Sequence, residues 1–339
     1  MVSQLDPSIH RSLSPRESKI DRPDGRLGAV TDFDVYLRVQ SDRHRQSFVS
    51  RQYATHPFRV SNVFRLDQEQ IDQAQIDQTQ IDQTQTDQAQ TDQAQIDQAQ
   101  SDRAYVYLMN TSPGLMEGDR FRIGVQVDAQ AHLYLTDQAA TKVHRMPTPD
   151  RPAMVDYILQ VGAGGSLEFL PEPLILYHES TLNQHTQITL HPSARLCFSE
   201  IIVPGRLARQ EYYQFNHYSS RLTVSSPDGR LILGDALRLE GQSHPFCHSP
   251  LFARQPILAT LLLIYPNIEQ AQLEAVLGQV CTNQPAATIE ASYSSLPNCN
   301  GFVIRATADC ISRIKRCFDQ ALNAVRLLEG QSPLPEVPK

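Results

Sequence analysis

Arg120-Phe-Arg-Ile-Gly-Val-Gln-Val127 sets Phe121, Ile123, Val125 and Val127 on one side of an extended chain and Arg122, Gly124 and Gln126 on the other. A period of two marks a half-buried strand. Working outward, Phe33, Val35, Leu37 and Val39 repeat the pattern. Shorter runs follow at 105–109, 132–136, 154–161, 166–170, 187–190, 195–203, 221–225 and 236–239, separated by Gly, Pro, Asn or Asp. Many short strands in series predict a mainly β fold, with stacked sheets forming a sandwich or barrel. Only the last quarter shows helical spacing. There Asn267 and Gln270 form a capping-box arrangement ahead of Leu273, Val276, Leu277 and Val280. A second stripe, Ile311, Ile314, Phe318, Leu322, Val325 and Leu328, is stopped by Gly330. One or two C-terminal amphipathic helices are therefore expected against the sheets.

The 339 residues, 40% of them hydrophobic, suffice for a sizeable core. This β domain is expected over 28–330, between an N-terminal tail (1–27) rich in Ser, Pro, Arg and Asp and a short C-terminal tail (331–339). Leu66 to Gln100 repeats every five residues, as in Ile71-Asp-Gln-Ala-Gln75 and Ile81-Asp-Gln-Thr-Gln85. A period of five matches neither a helical stripe nor a strand, so neither form buries one apolar face. The insert reads as a Gln-rich interaction spacer or as a solvated surface loop. Its seven Asp and Glu69, with no base, account for the acidity of a chain whose formal net charge is -7. The near-neutral remainder lacks the basic footprint of nucleic-acid binding. The longest apolar run, 257–264, is too short to span a bilayer, so no membrane association is expected. The N-terminus shows no signal-peptide core, and six scattered Cys without a CxxC suit a reducing compartment, so a cytoplasmic protein is expected.

Several stretches could bear chemistry. In Asn110-Thr-Ser-Pro-Gly-Leu-Met-Glu-Gly-Asp119, Pro113 and Gly114 suit the centre of a type II turn. Glu117 or Asp119 then either faces a partner or ion path, or bonds its own backbone. Thr136-Asp-Gln-Ala-Ala-Thr-Lys-Val-His-Arg145 offers Asp137, Lys142 and His144, although Asp137 could equally cap a helical turn starting at Gln138. His244, Cys247 and His248 fall within Ser243–His248, either a metal half-site without a second pair at standard spacing or a polar loop. Gly162-Ala-Gly-Gly165 reads as a tight turn between strands. The chain contains no GxSxG elbow, P-loop, HExxH or strand-linked GxGxxG.

Three motifs in order, Asn110-Thr-Ser-Pro-Gly with Gly118-Asp119, Thr136 to Arg145, and Gly162 to Leu176 with its Leu170-Pro-Glu-Pro173, resemble the urease accessory protein family UreD, also called UreH. Arg51–Val60, Gly205-Arg206, Glu211, Asp235, Arg238-Leu239 and Gly301–Arg305 extend the resemblance. It implies a mostly β, nonenzymatic maturation factor. Such a protein binds the urease apoprotein and, with UreF and the GTPase UreG engaged through UreF, supports nickel insertion. It implies no tightly bound cofactor, only Ni2+ in transit. Transit favours isolated oxygen ligands over closed His/Cys sets, which would trap the ion, so Asp119, Asp137 and Glu172 are the expected contacts. His244, Cys247 and His248 would be a holding site. The rival from another class is a metal-dependent β-fold hydrolase built on those same three residues.

Overall fold

The computed structural model describes residues 30–63, 103–148, 150–244, 246–285 and 287–334. The expected N-terminal tail, the pentad insert and residues 335–339 lie outside the described residues. Strands, numbered along the chain, form two sheets. The seven-stranded sheet holds β1 (Val35–Ser41), β2 (Ser47–Ala54), β5 (Arg120–Val127), β8 (Ala153–Val161), β11 (Thr181–Leu190), β13 (His217–Ser225) and β14 (Leu231–Leu239), in the order β14-β13-β11-β8-β5-β1-β2. The ten-stranded sheet holds β3 (Phe58–Val60), β4 (Arg103–Asn110), β6 (His132–Asp137), β7 (Thr141–Val143), β9 (Ser166–Phe169), β10 (Leu174–Leu176), β12 (Arg195–Val203), β15 (Ile257–Ile264), β16 (Ile289–Ser295) and β17 (Gly301–Ala308). Its main path is β16-β17-β15-β12-β9-β6-β4-β3, and the short β10 bridges β12 to β7.

The fold is mainly β, as the alternating pattern predicts, and most central neighbours run parallel. Parallel neighbours need a crossover, most often a helix. Here the crossover is a strand of the opposite sheet, because β4, β6, β9 and β12 enter one sheet while β5, β8, β11 and β13 enter the other.

Val35, Leu37 and Val39 of β1, Ile123, Val125 and Val127 of β5, and Leu133 and Leu135 of β6 bury between the sheets. The outer face of β12, β15 and β17 is buried too, beneath α2 (Gln270–Thr282) and α3 (Ile311–Leu328). A short α1 (Pro250–Arg254) precedes β15. Apart from Thr260, β15 is thus apolar along its length because both its faces are covered. Leu273 and Leu277 of α2 and Ile314, Phe318, Leu322 and Val325 of α3 supply the helical side of this second core.

The two helix termini treat the sequence signals differently. Gly330 follows α3 with φ +69, its N–H bonds to the Leu327 carbonyl and that of Gln331 to the Arg326 carbonyl, at 3.0 and 2.8 Å. That pair is a Schellman closure, and the glycine supplies its left-handed residue. At α2 the expected capping box does not form. Glu269 takes the N-cap position without a side-chain cap, while Asn267 lies outside the helix.

Candidate functional site

The ten-stranded sheet is interrupted at Leu170-Pro-Glu-Pro173. Proline has no N–H to give to a ladder, and β9 stops at Phe169 between β6 and β12. The Leu170 backbone still closes on β6, its N–H reaching the Leu135 carbonyl at 3.0 Å and its carbonyl accepting from Thr136 Oγ1 at 2.6 Å. Glu172 stands in the gap before β10 rejoins β12.

Three cavities share walls around this gap. The smallest, about 30 Å³, lies between the sheets and is lined by Asp137, Glu172 and Glu200 with Gln184, Tyr157 and Tyr218. Its volume suits one or two waters. A second, about 160 Å³, shares Asp137 and adds Asn110, Ser112, Gly114 and Lys142. The third, about 420 Å³, shares Glu172 and lies beneath α3, walled by Tyr105, Tyr134, Lys315 and Asp319. The three cavities form a series with carboxylates at both junctions.

Burial pushes the Asp137 carboxyl up to about 7; a hydrogen bond from the Glu172 backbone N–H opposes this and the Glu172 charge adds to it. Burial likewise pushes Glu200 up to about 7, with the Ser220 hydroxyl opposing, the Asp235 charge adding and the Arg305 charge opposing. Ser220 Oγ donates to Glu200 Oε1 at 3.0 Å, and Gln184 Nε2 donates to the same oxygen. Carboxyls that titrate near neutrality bind a cation when they lose a proton and release it when they regain one. No group of three or more His, Cys, Asp or Glu able to hold a metal ion occurs among the described residues. Asp137, Glu172 and Glu200 line one cavity without converging into such a group.

Of the expected contacts, the structure brings Asp137 and Glu172 together and leaves Asp119 apart. Asp119 Oδ2 accepts the Met116 N–H at 2.7 Å and its own N–H returns to the Met116 carbonyl at 3.1 Å, so the carboxylate braces its own loop. Asp137 ends β6 and caps no helical turn, since residues 138–140 are not helical. Gly114 takes φ +144, away from the value near +80° of a type II turn. A Cβ there would lie 2.3 Å from the Lys142 carbonyl oxygen. Close approach explains the glycine: Leu115 N–H bonds to that same carbonyl at 2.8 Å, and His144 Nε2 lies 3.0 Å from the Pro113 carbonyl. In the second cluster, His244 Nδ1 accepts the Glu240 N–H at 3.3 Å and its ring meets Phe246 edge-on. His248 is exposed, and the Cys247 side chain lies outside the described residues.

Sequence reading missed Glu200. The signal was present, because Leu196, Phe198 and Ile202 alternate with it toward the inter-sheet core. A carboxylate in phase with three buried apolar residues is costly unless used or paired.

Comparison with known proteins agrees with the motifs. The UreD urease accessory protein family matches residues 34–339. The chain is 39% identical over 314 residues to the urease accessory protein UreD of Trichodesmium erythraeum, covering 92% of this chain and 100% of that one. It is 31% identical to UreD of Haloarcula marismortui over 230 residues, 68% of this chain and 75% of the relative. A UreD 2 of Streptomyces griseus is 31% identical over 238 residues, 70% and 80% of the two chains. With the family match spanning both sheets and α3, the chain belongs to the UreD family of urease accessory proteins, helpers that are not themselves enzymes.

Proposed function

We propose that the chain binds the urease apoprotein and, with UreF and UreG, supports insertion of nickel into the urease active site, with Ni2+ as cargo passing along Asp137, Glu172 and Glu200. UreG engages through UreF. One observation carries this reading: three carboxylates line a cavity of about 30 Å³ between two larger cavities. Nickel accepts isolated oxygen ligands without being trapped by them. Asp119 contributes by holding the loop that presents Ser112 and Gly114 to the 160 Å³ cavity. The chain has no P-loop, so any GTP-dependent step belongs to a partner. The cytoplasm is the proposed compartment. Cys197, Cys281, Cys299, Cys310 and Cys317 are free, which suits a reducing environment, and no helix among the described residues is long and apolar enough to cross a membrane.

The test is co-expression of the full chain with the urease structural proteins and the other accessory proteins. Asp137→Asn and Glu200→Gln are each expected to lower urease nickel content and activity several-fold while the chain still co-purifies with apourease. Full nickel content in both variants would overturn the reading.

A further inference from the structure

Lys315, in the second turn of α3, reaches back to the interrupted sheet and sets its Nζ 2.5 Å from Glu172 Oε2. The contact lies at the exit from the inter-sheet space: Glu172 lines both the 30 and the 420 Å³ cavities, whereas Lys315 lines the larger alone. Asp319 lines that larger cavity four residues further along and is exposed at its rim. A spacing of four places Lys315 and Asp319 side by side on the helix surface. The ammonium thus has two carboxylates within reach, one inside the gap and one outside it.

We propose that Lys315 is a positioning residue that closes the gap to divalent cations while it pairs with Glu172 and opens it by turning toward Asp319. This rests on the cation path proposed above. A divalent ion arriving at Glu172 meets the ammonium at contact distance, where like charges repel most strongly, and finds the carboxylate already neutralised. The lysine stem is flexible and ends in a compact charge. It can change partner without moving α3, whose inner face is fixed by Ile314, Phe318 and Leu322 in the second core. Lysine at this junction therefore acts through Glu172 and not as a ligand.

The experiment is calorimetric titration of the purified full chain with nickel chloride alone, alongside thermal melts. Lys315→Met is expected to bind nickel at least tenfold more tightly than the native chain, Lys315→Arg to match the native chain, and Asp319→Asn to bind several-fold more weakly. These opposite signs separate a latch from a plain ion pair, whose loss would shift only the melting temperature. Unchanged nickel affinity in Lys315→Met overturns the latch. Should that variant fail to fold, unchanged affinity in Asp319→Asn does the same. Asp137→Asn and Glu200→Gln, titrated in parallel, separate the two levels. If both bind nickel as the native chain does, the path fails and takes the latch with it; if both bind more weakly while Lys315→Met is unchanged, the latch alone fails.

Discussion

Arg103 and Glu168 meet in the interior, Nη1 2.8 Å from Oε1, with side chains only 6% and 2% exposed. Arg326 Nε approaches the same carboxylate oxygen at 3.1 Å, so the first residue of β4, the middle of β9 and the end of α3 close on one acid. Removing one member of a buried ionic set leaves the others charged and unpaired, which typically costs about 3–5 kcal/mol. Glu168→Gln is expected to cost that much, read as a lowered urea midpoint with unchanged slope.

The pH dependence has an unusual sign for carboxylates. Asp137 and Glu200 titrate at about 7 in the fold, against about 4 in an unfolded chain. The native state therefore holds more protons between those values. Their contribution to stability is complete below about pH 4, shrinks as the pH rises and is gone above about 7. A double variant, Asp137→Asn with Glu200→Gln, mimics the protonated forms. From pH 5 to 8 the melting temperature of the native chain should fall relative to the variant's. Parallel melting curves across that range would contradict the assignment.

Gly114→Ala should destabilise by about 1–3 kcal/mol or more, because φ +144 is strained for any L side chain and the new methyl would meet the Lys142 carbonyl at 2.3 Å. Differential scanning calorimetry reads this as a lower melting temperature. Gly229, with φ +86 but no neighbouring atom within 4 Å of a new Cβ, is the control and should lose less.

Deleting residues 66–100 should leave the fold and urease activation intact. Val60 pairs with Leu108, so β4 begins five residues beyond the end of β3, a gap of about 17 Å at strand rise. Residues 61–65, 101 and 102 would still span roughly 23 Å when extended. Loss of apourease binding in the deletion variant would instead identify the insert as an interaction spacer.

The alternating strands such as β1, β5 and β8 were legible because alternation reports burial directly, and α3 because its stripe and Gly330 agree; β2, β15, β16 and β17 were not among the expected strands, and β15 does not alternate because both its faces are covered. Parallel order was not legible: alternation shows that Val125 has an inner face but not that Leu159, its neighbour in β8, belongs to the next passage through the same sheet. The Asn267 cap failed because the side-chain cap chemistry sits too early for a helix whose first turn starts at Gln270. Asp137 and Glu172 were singled out as expected contacts through motif order, whereas Glu200, on an otherwise apolar face of β12, needed the question of which apolar phase it interrupts.

Because each central strand changes layer before returning, the polypeptide is wound like thread on a flat bobbin, each loop laid beside the last. Lengthening any outer bend adds slack without shifting the windings already in place. Removing a winding, by contrast, would bring together strands that were never each other's neighbours, so natural length variation should collect at the bends.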